Sequence, residues 1–371
     1  MKNLLVGNGI NIQFGGYENT NESIILRGIK SLEKEDFPKH IILENTKDLV
    51  KLIGYLFIEF KYMLNDDYNS FTLSNEEQRC LDDMRERYKD RKNLILSDIG
   101  FEDYYLVYDL FCNKNNIVNH EKFYIREAIK TFFIYSIFNG GKVNEIYKKY
   151  PEKLKEFFEP FNNIFTTNYD ENLARFTGKN IYYLHGAFNI MDYRYKKDSF
   201  RNMLSNKAID DFNIDNKYYY LYSNVLTTYS GFSKSFSMNQ AHQGNEFINK
   251  MTDGYKSNPA IKEDIDSWKF TDNKILRNMY DSIILKVDNE ELQFEQQYPV
   301  NEFRSIEGEL KTVGLSPNND THIFETINSN SNLKKVTYYY YDKSECEVVK
   351  KLLNNFTVEF LAVKNLWKEY K

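Results

Sequence analysis

The sequence predicts an α/β protein built on an open, mostly parallel sheet, with a large helical insertion and a second, mixed insertion. Three observations carry this reading. A short apolar strand, Leu4 to Val6, runs directly into the glycine turn Gly7-Asn8-Gly9. A strand–helix–strand unit spans Asn163 to Leu184, and a strand–turn–helix–strand–helix series runs from Leu310 to Leu353. Strands alternating with helices in this way need crossover connections, and crossovers make neighbouring strands parallel.

The elements follow in chain order. Leu4 to Val6 is a buried strand, and Gly15-Gly16 punctuates the loop beyond its turn. From about Asn21 to Phe158 the spacing becomes helical. Leu49, Leu52, Ile53, Leu56 and Phe57 form one apolar stripe, and Ile125, Ile129, Phe132 and Phe133 form another. Glu76 to Lys92 carries both signs of charge and reads as a solvated helix face. Asn163 to Thr167 is a strand, a short helix opens at Glu171, and Ile181 to Leu184 is a second strand. Met191 to about Glu302 is mixed, loop-rich and aromatic, with Tyr218 to Tyr222 as its clearest strand.

Leu310 to Val313 is the next strand, stopped by Gly314-Leu315-Ser316-Pro317-Asn318-Asn319-Asp320. Ile323, Phe324 and Ile327 mark a helix that Asn319 or Asp320 would cap. Lys335 to Tyr341 is a strand, and Ser344-x-x-Glu347 is a capping-box pattern opening a helix through Leu353. Beyond Asn355, helix and strand fit equally. The whole is one domain, with its sheet core at 1–20, 159–190 and 305–371, the helical insertion at 21–158 and the mixed insertion at 191–304.

Composition narrows the function classes. A chain of 371 residues with net charge −5 is long enough for a large core and does not present a basic surface spread over the protein. Cys80, Cys112 and Cys346 lie far apart, so no zinc ribbon is expected, and a reduced, cytoplasmic compartment fits best. The longest apolar runs, Leu52 to Ile58 and Thr131 to Phe138, fall well short of the roughly 20 residues a bilayer demands. The five histidines form no close sequence pair, so no metal is expected.

Ligands of open parallel sheets bind at the carboxyl ends of the strands. Asn168 and Asp170 follow one strand and His185 the next, so two neighbouring strands would deliver an amide, a carboxylate and an imidazole to one mouth. Gly7-x-Gly9 and Gly314-Leu315-Ser316 are weak signals singly, since glycines after strands are common turn residues. Asp170 serves equally well as a cap for the helix that follows it.

Thr166-Thr167-Asn168-Tyr169-Asp170, followed 17 residues after Asn168 by Leu184-His185-Gly186, resembles the sirtuin signature. Gly7-Asn8-Gly9-Ile10-Asn11 falls at the family's first glycine loop and Gly314-Leu315-Ser316 at its adenosine loop. The family's four-cysteine module is missing. Its Gly-Ile-Pro-Asp-Phe-Arg segment is replaced by Gln13-Phe14-Gly15-Gly16-Tyr17. The chain therefore looks more like the zinc-free, NAD-hydrolysing sirtuin-like proteins of bacterial anti-phage defence, with a distant similarity to AbiH-like abortive-infection proteins.

That resemblance implies a Rossmann-like, sirtuin/DHS-like fold and NAD+ as substrate. It implies His185 as base, Asn168 orienting water or ribose, and Asp170 contacting the carboxamide or the developing charge. Gly7, Asn8, Gly9, Asn11 and Thr166 would line the pyrophosphate and nicotinamide side, and Gly314, Ser316 and Asn318 the adenosine side. It also implies a homo-oligomer, a separate HerA-type ATPase or phage-derived activator, and only indirect dealings with nucleic acid. A non-hydrolytic NAD-sensing module is the alternative. His322 could face the site, but a helix-surface position is expected. His242 is expected in an exposed loop. Tyr193 to Lys197 is expected to be a solvated edge, and His40 and His120 have no partner pattern.

Overall fold

The computed structural model describes residues 1–32, 37–38, 46–65, 67–117, 121–192, 216–225, 232–290, 292 and 298–370. Six strands form one sheet: β1 (Lys2–Val6), β2 (Asn163–Thr166), β3 (Ile181–Tyr183), β4 (Gly308–Val313), β5 (Leu333–Tyr340) and β6 (Val358–Ala362). Every pairing is parallel, in the order β3-β2-β1-β4-β5-β6. That is the doubly wound, Rossmann-like order. The chain steps outward from β1 to β3 and returns to β4 on the other side of β1, which makes β1 and β4 the topological switch point.

Burial on both faces explains the apolar strands. Successive side chains point to opposite faces. Leu4, Val6 and Ile164 enter one core, while Leu5, Phe165, Leu310 and Val336 enter the other. The first face is covered by the short helices α1 (Gly9–Gly15) and α7 (Leu154–Phe158), by α8 (Asn172–Thr177) and by the C-terminal α15 (Val363–Glu369). The second is covered by α12 (Val300–Arg304), α13 (Thr321–Asn328) and α14 (Ser344–Leu352).

The helical insertion holds α2 (Asn21–Ser31), α3 (Thr46–Leu64), α4 (Asn75–Tyr88), α5 (Asp103–Lys114) and α6 (Glu121–Phe138) around its own core. Leu49, Ile53 and Leu56, together with Ile129, Phe132 and Phe133, are fully buried there, as their spacing requires. α4 and α5 are tied by a bidentate pair. The Arg87 guanidinium donates to both Asp103 oxygens at 2.9 and 2.7 Å, and Tyr88 adds a third bond at 2.8 Å. Packing places the inner edge of this insertion earlier than expected. Phe138, Val143, Ile146 and Leu154 belong to the core against the sheet.

Three elements differ from expectation. Tyr218 to Tyr222 is part of a 3-10 helix over Asn216–Tyr222, with Tyr218, Tyr220 and Tyr222 buried. The aromatic run that mimics a strand is instead inserted into the core, where Tyr220 stacks on Phe138. The rest of the second insertion, where described, is helical, with α9 (Phe232–Ser257), α10 (Pro259–Ser267) and α11 (Lys274–Asp288) around Ile248, Ile265 and Ile283. At the capping-box pattern, Ser344 caps nothing. Asp342 accepts the Ser344 N–H at 2.8 Å and its hydroxyl at 2.6 Å, which moves the cap upstream. The undecided C-terminal stretch is both: edge strand β6, then α15. Tyr193 to Lys197, His40 and His120 lie outside the described residues. Among the described residues no helix is long and apolar enough to cross a membrane.

Candidate functional site

The carboxyl edge of the sheet brings four loops together, and the glycines of two of them are explained by packing. The Gly7 N–H donates to the Val313 carbonyl at 2.8 Å and the Gly9 N–H to the Gly314 carbonyl at 2.9 Å. A Cβ on Gly7 would lie 2.5 Å from the Gly314 oxygen, and one on Gly9 would lie 2.6 Å from the Gly314 Cα. Gly314 itself has φ +73°, a left-handed conformation that favours glycine. The β1 and β4 loops thus touch backbone to backbone at the switch point. Two of the amides read as phosphate donors are spent on that contact.

Thr166, the last residue of β2, bridges two strands. Its hydroxyl donates to the Val6 carbonyl at 2.9 Å and accepts from the Asn168 N–H at 3.0 Å. Asn168 is buried, with its amide nitrogen 3.4 Å from the Gly7 carbonyl. Asp170 is buried and fully engaged. One oxygen accepts the Asn172 N–H at 3.0 Å at the start of α8, and the other accepts from the Asn11 side chain at 2.6 Å. Burial raises its pKa, and the bonds from Asn11 and Asn172 oppose that rise. Asp170 therefore does cap-like work and also locks α1 to α8 through Asn11.

His185 follows β3 as Asn168 follows β2: each stands two residues past the last register pair, Thr166 with Tyr183. The turn after it is shaped by Gly186, at φ +76°, where a Cβ would lie 2.3 Å from the Asn224 carbonyl oxygen. Asn224 is buried. Its side chain accepts the Ala187 N–H and its carbonyl accepts the Tyr298 hydroxyl, both at 2.9 Å.

His322 is the main residue that sequence reasoning missed. It is buried in α13, with its Nε2 2.9 Å from the Nε2 of His185, and the two rings stack with centroids 5.1 Å apart. A helix-surface position was expected on general grounds, since a lone histidine on a helix more often faces solvent; Ile323, Phe324 and Ile327 form the buried apolar face of α13. The other face is not solvent, however, because α9 of the second insertion packs on it. Burial first, then the positive charge of Lys234, holds both imidazoles well below the ordinary histidine pKa. They are neutral at pH 7, so one donates to the other.

Lys234 comes from α9 and is buried. It is ion-paired to Glu102, just ahead of α5, and Glu102 also accepts from the Tyr169 hydroxyl at 3.3 Å. Asp320 stands at the N-cap of α13, yet its side chain makes no cap bond. Its Oδ2 instead accepts the Ser316 N–H at 3.3 Å. Burial pushes its pKa up to about 6. Ligand atoms of His185, His322 and Asp320 lie within 4.8 Å of one another. Of the remaining candidates, Ser316 is half-buried, and Asn8 and Asn318 are exposed. His242 falls within α9 rather than in a loop.

Compared with known proteins, the chain matches no family model, no curated protein and no solved structure.

Proposed function

We propose that the protein is an NAD+ glycohydrolase that cleaves the ribose–nicotinamide bond and serves as an anti-phage effector by depleting NAD. The observation that carries the reading is a buried, neutral imidazole, His185, set beside Asn168 at the carboxyl edge of a doubly wound sheet. The resemblance of both loops to the sirtuin signature adds the substrate and the defence role.

In this reading the nicotinamide leaves with the bonding electron pair, and positive charge builds on the ribose. One water adds to the anomeric carbon and gives up a proton. The products are ADP-ribose, nicotinamide and that proton. Neutral His185 is in the right form to accept it, from the water or from a ribose hydroxyl that relays it. Asn168 orients the attacking oxygen. Asp170 acts through Asn11, fixing the first turn of α1 against α8. Because the Gly7 and Gly9 amides are spent on β4, the pyrophosphate would draw on the rest of the two loops.

The test is nicotinamide release from NAD+ by purified protein, alone and with extract from phage-infected cells as a source of activator. His185→Ala and Asn168→Ala are each expected to lose about 10²–10⁴-fold in rate while unfolding like the parent chain. Full turnover by His185→Ala would refute the assignment. Saturable NAD+ binding with no nicotinamide released under either condition would establish the sensing module instead.

A further inference from the structure

We propose that His185, His322 and Asp320 form a binding site for a divalent transition metal of the zinc class. The residues come from the loop after β3 and from the start of α13, and 137 positions separate the two histidines, so no sequence motif announces the site. Two imidazole nitrogens and one carboxylate, all within 4.8 Å, make the set that catalytic zinc and related ions take while leaving coordination positions open. The two Nε2 atoms, 2.9 Å apart in their hydrogen-bonded pair, need to part only to about 3.3 Å to span a tetrahedral ion with bonds of about 2.0–2.1 Å.

Two independent features point to a cation. The first is charge. Lys234 is neutralised by Glu102, so the carboxylate of Asp320 is left without an ion-pair partner among the described residues. Asp320 is half-buried and only the already paired Lys234 tempers its charge, so its lost solvation is costly and a cation relieves it. The second is His322. Its ring is 1% exposed, and its enclosed Nδ1 has no hydrogen-bond partner among the described residues. A buried polar atom left unmatched calls for a reason, and a ring held by packing and a single bond can turn either nitrogen to an ion. The bound metal would occupy the Nε2 lone pair of His185. On the NAD-cleavage reading it would hold the base out of action, but the site itself does not depend on that reading.

The experiment reads metal binding with no NAD present. Full-length protein carrying Cys346→Ser, which removes the most accessible thiol, is stripped with a chelator and titrated with Zn2+ against a chromophoric competitor. Co2+ absorption reports the coordination. One equivalent of Zn2+ is expected, with cobalt d–d bands. His322→Gln and Asp320→Asn are each expected to weaken Zn2+ by at least about 100-fold, beyond what loss of an outer-shell partner costs. Both variants are near in size to the native residue, and unchanged far-UV circular dichroism verifies their folding. Failure of the parent chain to bind Zn2+ or Co2+, or unchanged affinity and spectra in both variants, would overturn the site.

Discussion

Replacing Gly7 by alanine separates two roles for the first glycine loop. If the glycine serves a ligand, Gly7→Ala leaves the ligand-free protein as stable as the parent. The structure argues otherwise. The new methyl would stand 2.5 Å from the Gly314 oxygen, 2.9 Å from its carbonyl carbon and 3.1 Å from the Leu315 Cα, all backbone atoms with no rotamer to change. The β1 and β4 loops must part, which costs about 1–3 kcal/mol as overpacking. Parting them also strains the bonds from Gly7 to Val313 and from Gly9 to Gly314, each worth about 0.5–1.5 kcal/mol. The expected loss is about 2–6 kcal/mol. The assay is urea unfolding of ligand-free protein followed by far-UV circular dichroism. Gly54→Ala is the matched control: it lies inside α3 with nothing within 4 Å of an added Cβ. It should gain about 0.5–1 kcal/mol from helix propensity. A Gly7→Ala midpoint within about 0.5 kcal/mol of the parent would refute the packing argument and return the glycine to the ligand.

Three further outcomes are expected. In metal-stripped protein the acid limb of kcat/KM should fall below pH 6.5, because burial keeps His185 in its neutral form. A midpoint at 7 or above would contradict that. The same depression makes the unfolded chain bind more protons below its own histidine pKa of about 6.5, so the histidine pair favours unfolding as pH falls through that value. Asp320 works in the opposite sense. Its carboxyl is raised to about 6 from 3.8, so its ionised form costs the folded state up to about 3 kcal/mol at pH 7, a cost that fades as pH drops from 6 towards 4. Asp320→Asn should therefore raise the urea midpoint at pH 7 and not at pH 4, and equal effects at both values would exclude a charge origin. Gly186→Ala should destabilise by about 2–4 kcal/mol, from left-handed strain and the Asn224 contact. Gly178→Ala, with φ +67° and open space, should cost only about 1–2 kcal/mol. Equal midpoints for these two variants would remove Asn224 from the account.

The sheet was legible because each of its strands is covered on both faces or set at an edge, and such strands leave short apolar runs between turn residues. The strands expected at Leu4 to Val6, Asn163 to Thr167 and Leu310 to Val313 correspond to Lys2–Val6, Asn163–Thr166 and Gly308–Val313. Asn168 and His185 were legible for the same reason, since polar residues just past a strand have one edge of the sheet to go to. What sequence hid was contact across long separations. The burial of His322 depends on α9 lying over α13, and the pairing of Lys234 with Glu102 joins residues 132 positions apart in different insertions. The Gly7–Gly314 contact is hidden in the same way: either loop alone reads as a phosphate turn, and only the pairing of β1 with β4 shows the two glycines filling each other's space. Tyr218 to Tyr222 failed for a different reason. Aromatic residues favour strands because they fit a half-buried pleated surface, and a core of stacked rings satisfies them equally well.

The two insertions meet beside the candidate site. Lys234 is supplied by the second insertion and Glu102 by the first, and Tyr169, between Asn168 and Asp170, donates to that same Glu102. Glu102 is held in turn by its neighbour Asp103, whose bidentate bond to Arg87 is anchored in the helical core. His185 is 2% exposed, His322 1% and Asn168 6%, so on the proposed reading a dinucleotide reaches them only after the structure enclosing them moves. Breaking the Lys234–Glu102 pair in a buried setting leaves both charges unmatched, a cost of several kcal/mol unless a ligand or partner replaces one of them. A pyrophosphate could take over Lys234, and a cation could take over Glu102. On the proposed reading, the Lys234–Glu102 pair is one link between the two insertions and the candidate site. On that reading, an activator that shifts α9 relative to α2–α6 would uncover His322.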